Sequence, residues 1–267
     1  MTLDPHSLLT LALDLGAEAG ALALRRRREG VDVAATKSSA VDIVTAADEE
    51  VEALIRARLA AARPGDGFYG EESVAAESET GLTWVVDPID GTVNYLYGIP
   101  QWGVSIAAVT GGTDPTSWTA LAGVVVAPAL DATYAAVVGG GATCNGGQIV
   151  AAAPVSLAQS LLATGFAYDA GIRAAQAASV ATLIGKVRDI RRLGAASIDL
   201  CSVAAGRLDA YAERGLQPWD FAAGALIAAE AGAVVDVGDV RADRRLVTAA
   251  APTVAGEFRE AIERAGL

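Results

Sequence analysis

At 267 residues and 52 % hydrophobic, the chain is globular, with room for one large core or two smaller ones. Its net charge of −12 argues against a nucleic-acid backbone as the main partner. One histidine, His6, and two cysteines, Cys144 and Cys201, exclude a zinc centre, a disulfide framework and most histidine-based catalysis, so any metal is held by oxygen.

Residues 4–29 place Leu8, Ala12, Leu15, Ala19, Leu22 and Ala23 on one helical face, with Asp4-Pro5 as a start and Gly30 as a stop. Arg25 to Arg28 complement the dipole of its last turn. Asp4, Asp14 and Glu18 interrupt this apolar stretch, so it does not read as a signal peptide, and no run reads as a membrane span. The expected location is the cytoplasm. A second helix is expected from about Asp48 to Ala62, capped by Thr45 or Asp48, with Val51, Leu54, Ile55 and Leu59 inward. Gly67 to Gly70 is a short strand ending on Glu71 and Glu72, and the polar residues 75–81 are a surface loop.

The stretch Trp84-Val85-Val86-Asp87-Pro88-Ile89-Asp90-Gly91-Thr92-Val93-Asn94 organises the rest. A buried strand, Trp84 to Val86, is expected to stop at Asp87 in a turn, where chemistry is commonly placed. Pro88 biases Asp87 towards extended backbone, and Gly91 lets the backbone approach a ligand closely. Carboxylate and carbonyl oxygens gathered there suit a hard cation such as Mg²⁺. Read alone, the motif is more often a tight turn with capping aspartates than a site.

Gly103 to Val109, Ala120 to Val126 and Tyr134 to Val138 read as strands. The triple glycine at 139–141 invites a phosphate-loop reading, but no Gly-Lys-Ser/Thr follows, and Asn145-Gly146 signals a hairpin instead. Beyond Pro154 strands and helices alternate: strand 161–166, helix 173–187, a short β-like segment 189–193, helix 196–205 and strand 208–212. Asp220 stands where a further helix begins, running to Gly232, and two short strands near 233–249 and a helix over 253–266 close the chain.

Five ordered segments resemble the inositol monophosphatase family of Mg²⁺-dependent, lithium-sensitive phosphatases. They are Val44-Thr45-Ala46-Ala47-Asp48, Gly70-Glu71-Glu72-Ser73, the Trp84–Asn94 stretch, Cys144-Asn145-Gly146 and Trp219-Asp220-Phe221-Ala222-Ala223-Gly224. The resemblance implies an α/β fold, a layered αβαβα sandwich of the inositol monophosphatase/fructose-1,6-bisphosphatase type. Residues 1–150 would form an α+β part with an antiparallel sheet and the main metal motif. Residues 151–267 would form an α/β part supplying Asp220 and substrate contacts, the two making one compact unit. It further implies that Glu71, Asp87 and the Ile89 carbonyl hold one Mg²⁺, that Asp87, Asp90 and Asp220 hold a second, and that a weaker third lies near Glu71. Thr92, paired with Asp48, and Glu71 would position the attacking water. Substrate would touch Asp90, Gly91, Thr92, Gly194, Ala195, Ala196 and Glu213, and Lys37 fits a family lysine near the mouth of the site.

The implied reaction is hydrolysis of a small phosphorylated polyol, myo-inositol 1-phosphate first, by direct attack of water without a covalent intermediate. Histidinol phosphate, fructose 1,6-bisphosphate and adenosine 3′,5′-bisphosphate are the alternative esters. Tyr95 and Tyr97 depart from common family residues and bear on substrate choice, while Trp219 before Asp220 argues against the histidinol-phosphate branch. A regulator that binds the transcription machinery is the alternative of another class. By family analogy the protein is a homodimer.

Overall fold

The computed structural model describes residues 3–31, 33–36, 43–241 and 244–267, so Lys37 lies outside the described residues. Helix α1 (Pro5–Glu29) starts as its residues dictate: the Asp4 carboxylate accepts the Ser7 N–H, Pro5 occupies the first turn, and the helix ends at Gly30. With 25 residues and a mean hydropathy of 1.5 over its most apolar window, α1 has the length and apolarity of a membrane span, which the sequence reading did not anticipate. In the fold its apolar stripe, Leu8 to Ala23, is buried in the protein core.

A short antiparallel pair, β1 (Val33–Thr36) and β2 (Ile43–Thr45), leads into α2 (Ala46–Ala62). Thr45 and Asp48 form a reciprocal capping box at its start. A seven-stranded sheet follows: β3 (Gly67–Gly70), β4 (Leu82–Asp90), β5 (Gly103–Thr110), β6 (Thr119–Ala127), β7 (Ala132–Val137), β8 (Ala142–Cys144) and β9 (Gly147–Ile149), side by side in chain order. Only β3 and β4 run parallel in it. Every residue of β4 is buried, as expected for a strand covered on both faces.

The second large sheet has five strands, β10 (Leu161–Thr164), β11 (Asp189–Arg191), β12 (Ala210–Arg214), β13 (Val234–Arg241) and β14 (Arg244–Ala250), in the order β11-β10-β12-β14-β13. The remaining helices are α3 (Thr92–Tyr97), α4 (Ala170–Leu183), α5 (Ala196–Ala204), α6 (Pro218–Glu230) and α7 (Ala255–Ala265). Helices α1 and α2 cover one face of the seven-stranded sheet, α5 and α6 fill the space between the sheets, and α4 and α7 cover the outer face of the five-stranded sheet. This is the expected αβαβα order. All of α5 is buried, and α6 is apolar nearly all round, as helices between two sheets must be.

Several boundaries differ from the sequence reading. The central strand does not stop at Asp87 but runs to Asp90. Asp87 faces Ser105 and Asp90 faces Gly103, so three steps on β4 match two on β5, and the bulge accommodates Pro88, which has no N–H to pair. Helix α3 was not expected; at six residues it is too short to show a period. Strand β12 lies two residues later than expected, which puts Glu213 and Arg214 inside it. Helix α4 starts at Ala170, where Asp169 caps it, while Asp220 stands in the first turn of α6 as expected. The Asn145-Gly146 turn (φ 50° and 76°) forms the expected hairpin, and the N–H groups of Gly139 and Gly141 donate to the Glu230 carboxylate instead of a phosphate.

Asp66 fixes the approach to β4. Its side chain, 2 % exposed, accepts bonds from Arg63 Nε (2.7 Å), Thr80 Oγ1 (2.6 Å) and Trp84 Nε1 (3.0 Å). Burial pushes its pKa up, but these donors outweigh it and hold the carboxyl below its usual value. Asp66→Ala is expected to cost about 3 kcal/mol, as for breaking a buried pair, and to lower the urea midpoint. A depressed folded pKa stabilises in full above about pH 4, and that contribution fades as pH falls through the lowered value. An unchanged midpoint for the variant at pH 7 would contradict this.

Candidate active site

Two of the site's acids come from the β4 bulge and one from α6. One carboxylate oxygen from each of Asp87, Asp90 and Asp220 lies within 4.8 Å of the others. Each side chain is held by neighbouring N–H groups. Ile89 N–H donates to Asp87 Oδ1 (3.0 Å), Gln217 N–H donates to Asp220 Oδ2 (2.6 Å), and the Ser197 N–H and hydroxyl both donate to Asp90 Oδ2 (2.7 and 2.5 Å). The Ser197 bonds tie the seven-stranded sheet to the start of α5, 107 residues further along the chain.

The charge balance is unfavourable without a cation. Asp87 is 1 % exposed and Asp90 7 %. Burial, then Glu71, Asp90 and Asp220, push the Asp87 carboxyl well above its usual pKa. Burial lifts Asp90 to about 7, against the Ser197 bonds and with Glu213 and Glu71 adding repulsion. Asp220 rises through burial, Asp90 and Glu71. Carboxylates packed this closely exist either protonated or around a cation. An all-oxygen donor set on a rigid strand end fits a hard divalent ion of the Mg²⁺ kind.

Gly91 turns the chain from β4 into α3 with a left-handed φ of 87°. A Cβ there would lie 2.9 Å from the Gln101 carbonyl and 3.1 Å from that of Gly194, so both the conformation and the close approach require glycine. Asn94 Nδ2 donates to the carbonyls of Gln101 (2.7 Å) and Leu193 (2.8 Å), fixing the same junction. The Thr92 hydroxyl lies 3.0 Å from the Ile89 carbonyl and 3.3 Å from Asp48 Oδ1. Asp48 Oδ2 accepts the Thr45 N–H (2.9 Å) and the Thr45 hydroxyl.

These groups border one cavity of about 520 Å³. Its wall includes Glu71, Asp87, Ile89, Asp90, Gly91 and Thr92 from one side, and Gly194, Ala196, Glu213 and Asp220 from the other. Asp48 stands behind Thr92, fully buried. Ala195 is 2 % exposed and turned into the core, off the cavity wall. Glu213 is raised by burial, against a 2.8 Å bond from the Tyr211 hydroxyl and the nearby Arg192. Ser197 and Tyr211, which hold Asp90 and Glu213, were not singled out from sequence. Arg192 and Gln217, also on the wall, were likewise missed.

The chain matches the inositol monophosphatase family over residues 4–264. It belongs to that family. Inositol-1-monophosphatase SuhB of Mycobacterium tuberculosis is 44 % identical over 281 residues, 98 % of this chain and 95 % of the relative. The Nus factor SuhB of Escherichia coli is 35 % identical over 232 residues, 86 % of this chain and 85 % of the relative. Among solved structures, M. tuberculosis SuhB superposes with a TM-score of 0.84 at 43 % identity, covering 99 % of this chain and 98 % of that one. The suhB protein of Bartonella henselae gives 0.85 at 33 % identity, with 97 % and 98 % covered. With this kinship and an acid triad suited to a divalent cation, the chain is a metal-dependent phosphatase of the family.

Proposed function

We propose that the protein hydrolyses myo-inositol 1-phosphate to inositol and inorganic phosphate, with Mg²⁺ at the Asp87–Asp90–Asp220 cluster. The single observation that carries this is that two buried carboxylates of the β4 bulge and a half-buried one from α6 converge on one cavity, in a chain so similar along nearly its whole length to an inositol-1-monophosphatase. Bound there, Mg²⁺ would neutralise the ester dianion, lower the pKa of water and stabilise the departing alkoxide.

Asp87, Asp90 and Asp220 would hold the ions, joined by Glu71 and the Ile89 carbonyl, two or three ions in all. The Gly91 and Thr92 N–H groups would receive phosphate oxygens. Thr92 Oγ1 would orient the attacking water while sharing its own proton with Asp48 Oδ1. Water would add to phosphorus as the ester P–O bond breaks, one of its protons ending on the leaving oxygen as the alcohol and the other on the released phosphate. Glu213, with Gly194 and Ala196, would take the polyol hydroxyls, and Tyr211 would orient Glu213. Two free cysteines accord with a reducing, cytoplasmic setting. By analogy with the family, the protein would form a homodimer.

A second reading, a regulator that binds the transcription machinery, has the designation of the Escherichia coli relatives as Nus factors behind it. The complete acid set and the −12 charge favour hydrolysis. Phosphate release from myo-inositol 1-phosphate, histidinol phosphate, fructose 1,6-bisphosphate and adenosine 3′,5′-bisphosphate tests both, each with Mg²⁺, with EDTA and with added Li⁺. The inositol ester is expected to turn over fastest, only with Mg²⁺, and to be inhibited by Li⁺. A higher kcat/KM for another ester would replace the substrate, and no hydrolysis of any would favour the regulator.

A further inference from the structure

We infer that Glu52, on α2, is a positioning residue for the cation site, holding the Gly70–Glu72 turn and through it the Glu71 carboxylate. This rests on the proposal that Glu71 is a cation ligand. Glu52 is 2 % exposed, and its Oε2 accepts the Glu72 N–H at 2.8 Å. A Cβ on residue 70 would lie 2.3 Å from the same Oε2 and 2.6 Å from the carboxyl carbon. The Glu52 carboxylate, with the Phe68 ring at 2.6 Å from the same point, fills the space a side chain at position 70 would need, which gives Gly70 its reason.

The register then aims Glu71. Strands β3 and β4 are parallel with Gly70 opposite Val86, so Glu71 and Asp87 leave the strand pair side by side. Any slip of the Gly70–Glu72 turn moves Glu71 relative to Asp87.

Helix α2 supplies this hold as a stripe. Asp48, Glu52 and Arg56 recur at four-residue spacing, on one face. Asp48 reaches Thr45 and Thr92. Arg56 donates to the Ser73 hydroxyl (2.6 Å) and the Val74 carbonyl (3.0 Å), and lies over the Phe68 ring at 5.1 Å. Three successive turns thus grip the start of α3, the Gly70–Glu72 turn and residues 73–74.

A merely structural acid is a poor account of Glu52. Its Oε1 is buried without a hydrogen-bond partner among the described residues, so the carboxylate is held there through Oε2 on the Glu72 N–H. Outer residues that orient metal ligands commonly carry tenfold to hundredfold effects on metal affinity.

The test is calorimetric titration of Mg²⁺ into the full chain, paired with the Mg²⁺ concentration that half-activates turnover. Glu52→Ala is expected to weaken Mg²⁺ binding and raise the half-activating concentration about 10- to 100-fold, with kcat at saturating Mg²⁺ close to wild type. Glu52→Gln, whose amide oxygen can take the Glu72 N–H in the same place, should restore most of the affinity. Asp66→Ala, destabilised but off the cavity wall, should bind Mg²⁺ as wild type does. Should Glu52→Ala fail to fold, Gly70→Ala, which displaces the Glu52 carboxylate, should show the same weakening. Wild-type affinity in Glu52→Ala or in a folded Gly70→Ala, or an equal loss in Asp66→Ala, overturns the inference alone. A wild type that binds no Mg²⁺ overturns the cation-site proposal and this inference with it.

Discussion

Asp87→Asn is expected to lower kcat at least about a hundredfold, a loss of about 2.7 kcal/mol in transition-state stabilisation. Asn keeps the shape of the side chain, and its amide oxygen can still accept the Ile89 N–H that now binds Asp87 Oδ1 at 3.0 Å. The bulge in β4 should therefore survive. What is removed is a negative charge at the centre of the cluster, the one on which Glu71, Asp90 and Asp220 all press. The variant should accordingly be more stable than wild type in EDTA at pH 8, while far less active in Mg²⁺. Loss of activity with loss of stability would indicate a merely structural acid, and near-wild-type turnover would sink the assignment of Asp87 as a cation ligand.

The second large effect is a dependence of stability on pH that Mg²⁺ should remove. An aspartate in the unfolded chain ionises near 3.9. Folded Asp90 keeps its proton up to about 7, because burial and its acidic neighbours outweigh the Ser197 bonds. Between those values the native state holds more protons than the unfolded state, so stability falls as pH rises. The Asp90 shift alone is worth on the order of 4 kcal/mol, and Asp87 and Asp220 are displaced in the same direction. In EDTA the urea midpoint should drop from pH 5 to pH 8. With Mg²⁺ a hundredfold above its Kd, the folded state at pH 8 should gain about 2.7 kcal/mol, because the ion takes the place of the protons. A flat EDTA profile between pH 5 and pH 8 would contradict the charge balance described for the site.

The local chemistry of the site was largely legible in the sequence. Asp87 and Asp90 share a motif with Pro88 and Gly91, each of which has a backbone reason visible without coordinates. Asp220 follows Pro218 at a helix start and reads there as an ordinary helix acid. That the three meet is a tertiary fact spanning more than a hundred residues, and only the resemblance of five ordered segments to one family anticipated it. The partners of the site acids were not legible for the same reason. Ser197 looks like any residue in a first helical turn until α5 is packed beside β4. Glu52 lies one helical turn beyond Asp48 and reads as a surface position. Its burial depends on the Gly70–Glu72 turn closing over it. The bulge at Pro88 and the short α3 escaped because hydrophobic periodicity cannot resolve features of one to six residues. The long apolar α1 shows the converse limit, since composition alone does not separate a core helix from a membrane span.

Joint binding of a divalent cation by Asp87, Asp90 and Asp220 is tested most directly by diffraction from crystals soaked in Mn²⁺, an ion with the oxygen preference of Mg²⁺ and a strong anomalous signal. An anomalous peak is expected at coordination distance from carboxylate oxygens of all three residues, absent in Asp87→Asn. Ordered Mn²⁺ elsewhere with none between these three acids, or the same peak undiminished in Asp87→Asn, would contradict it.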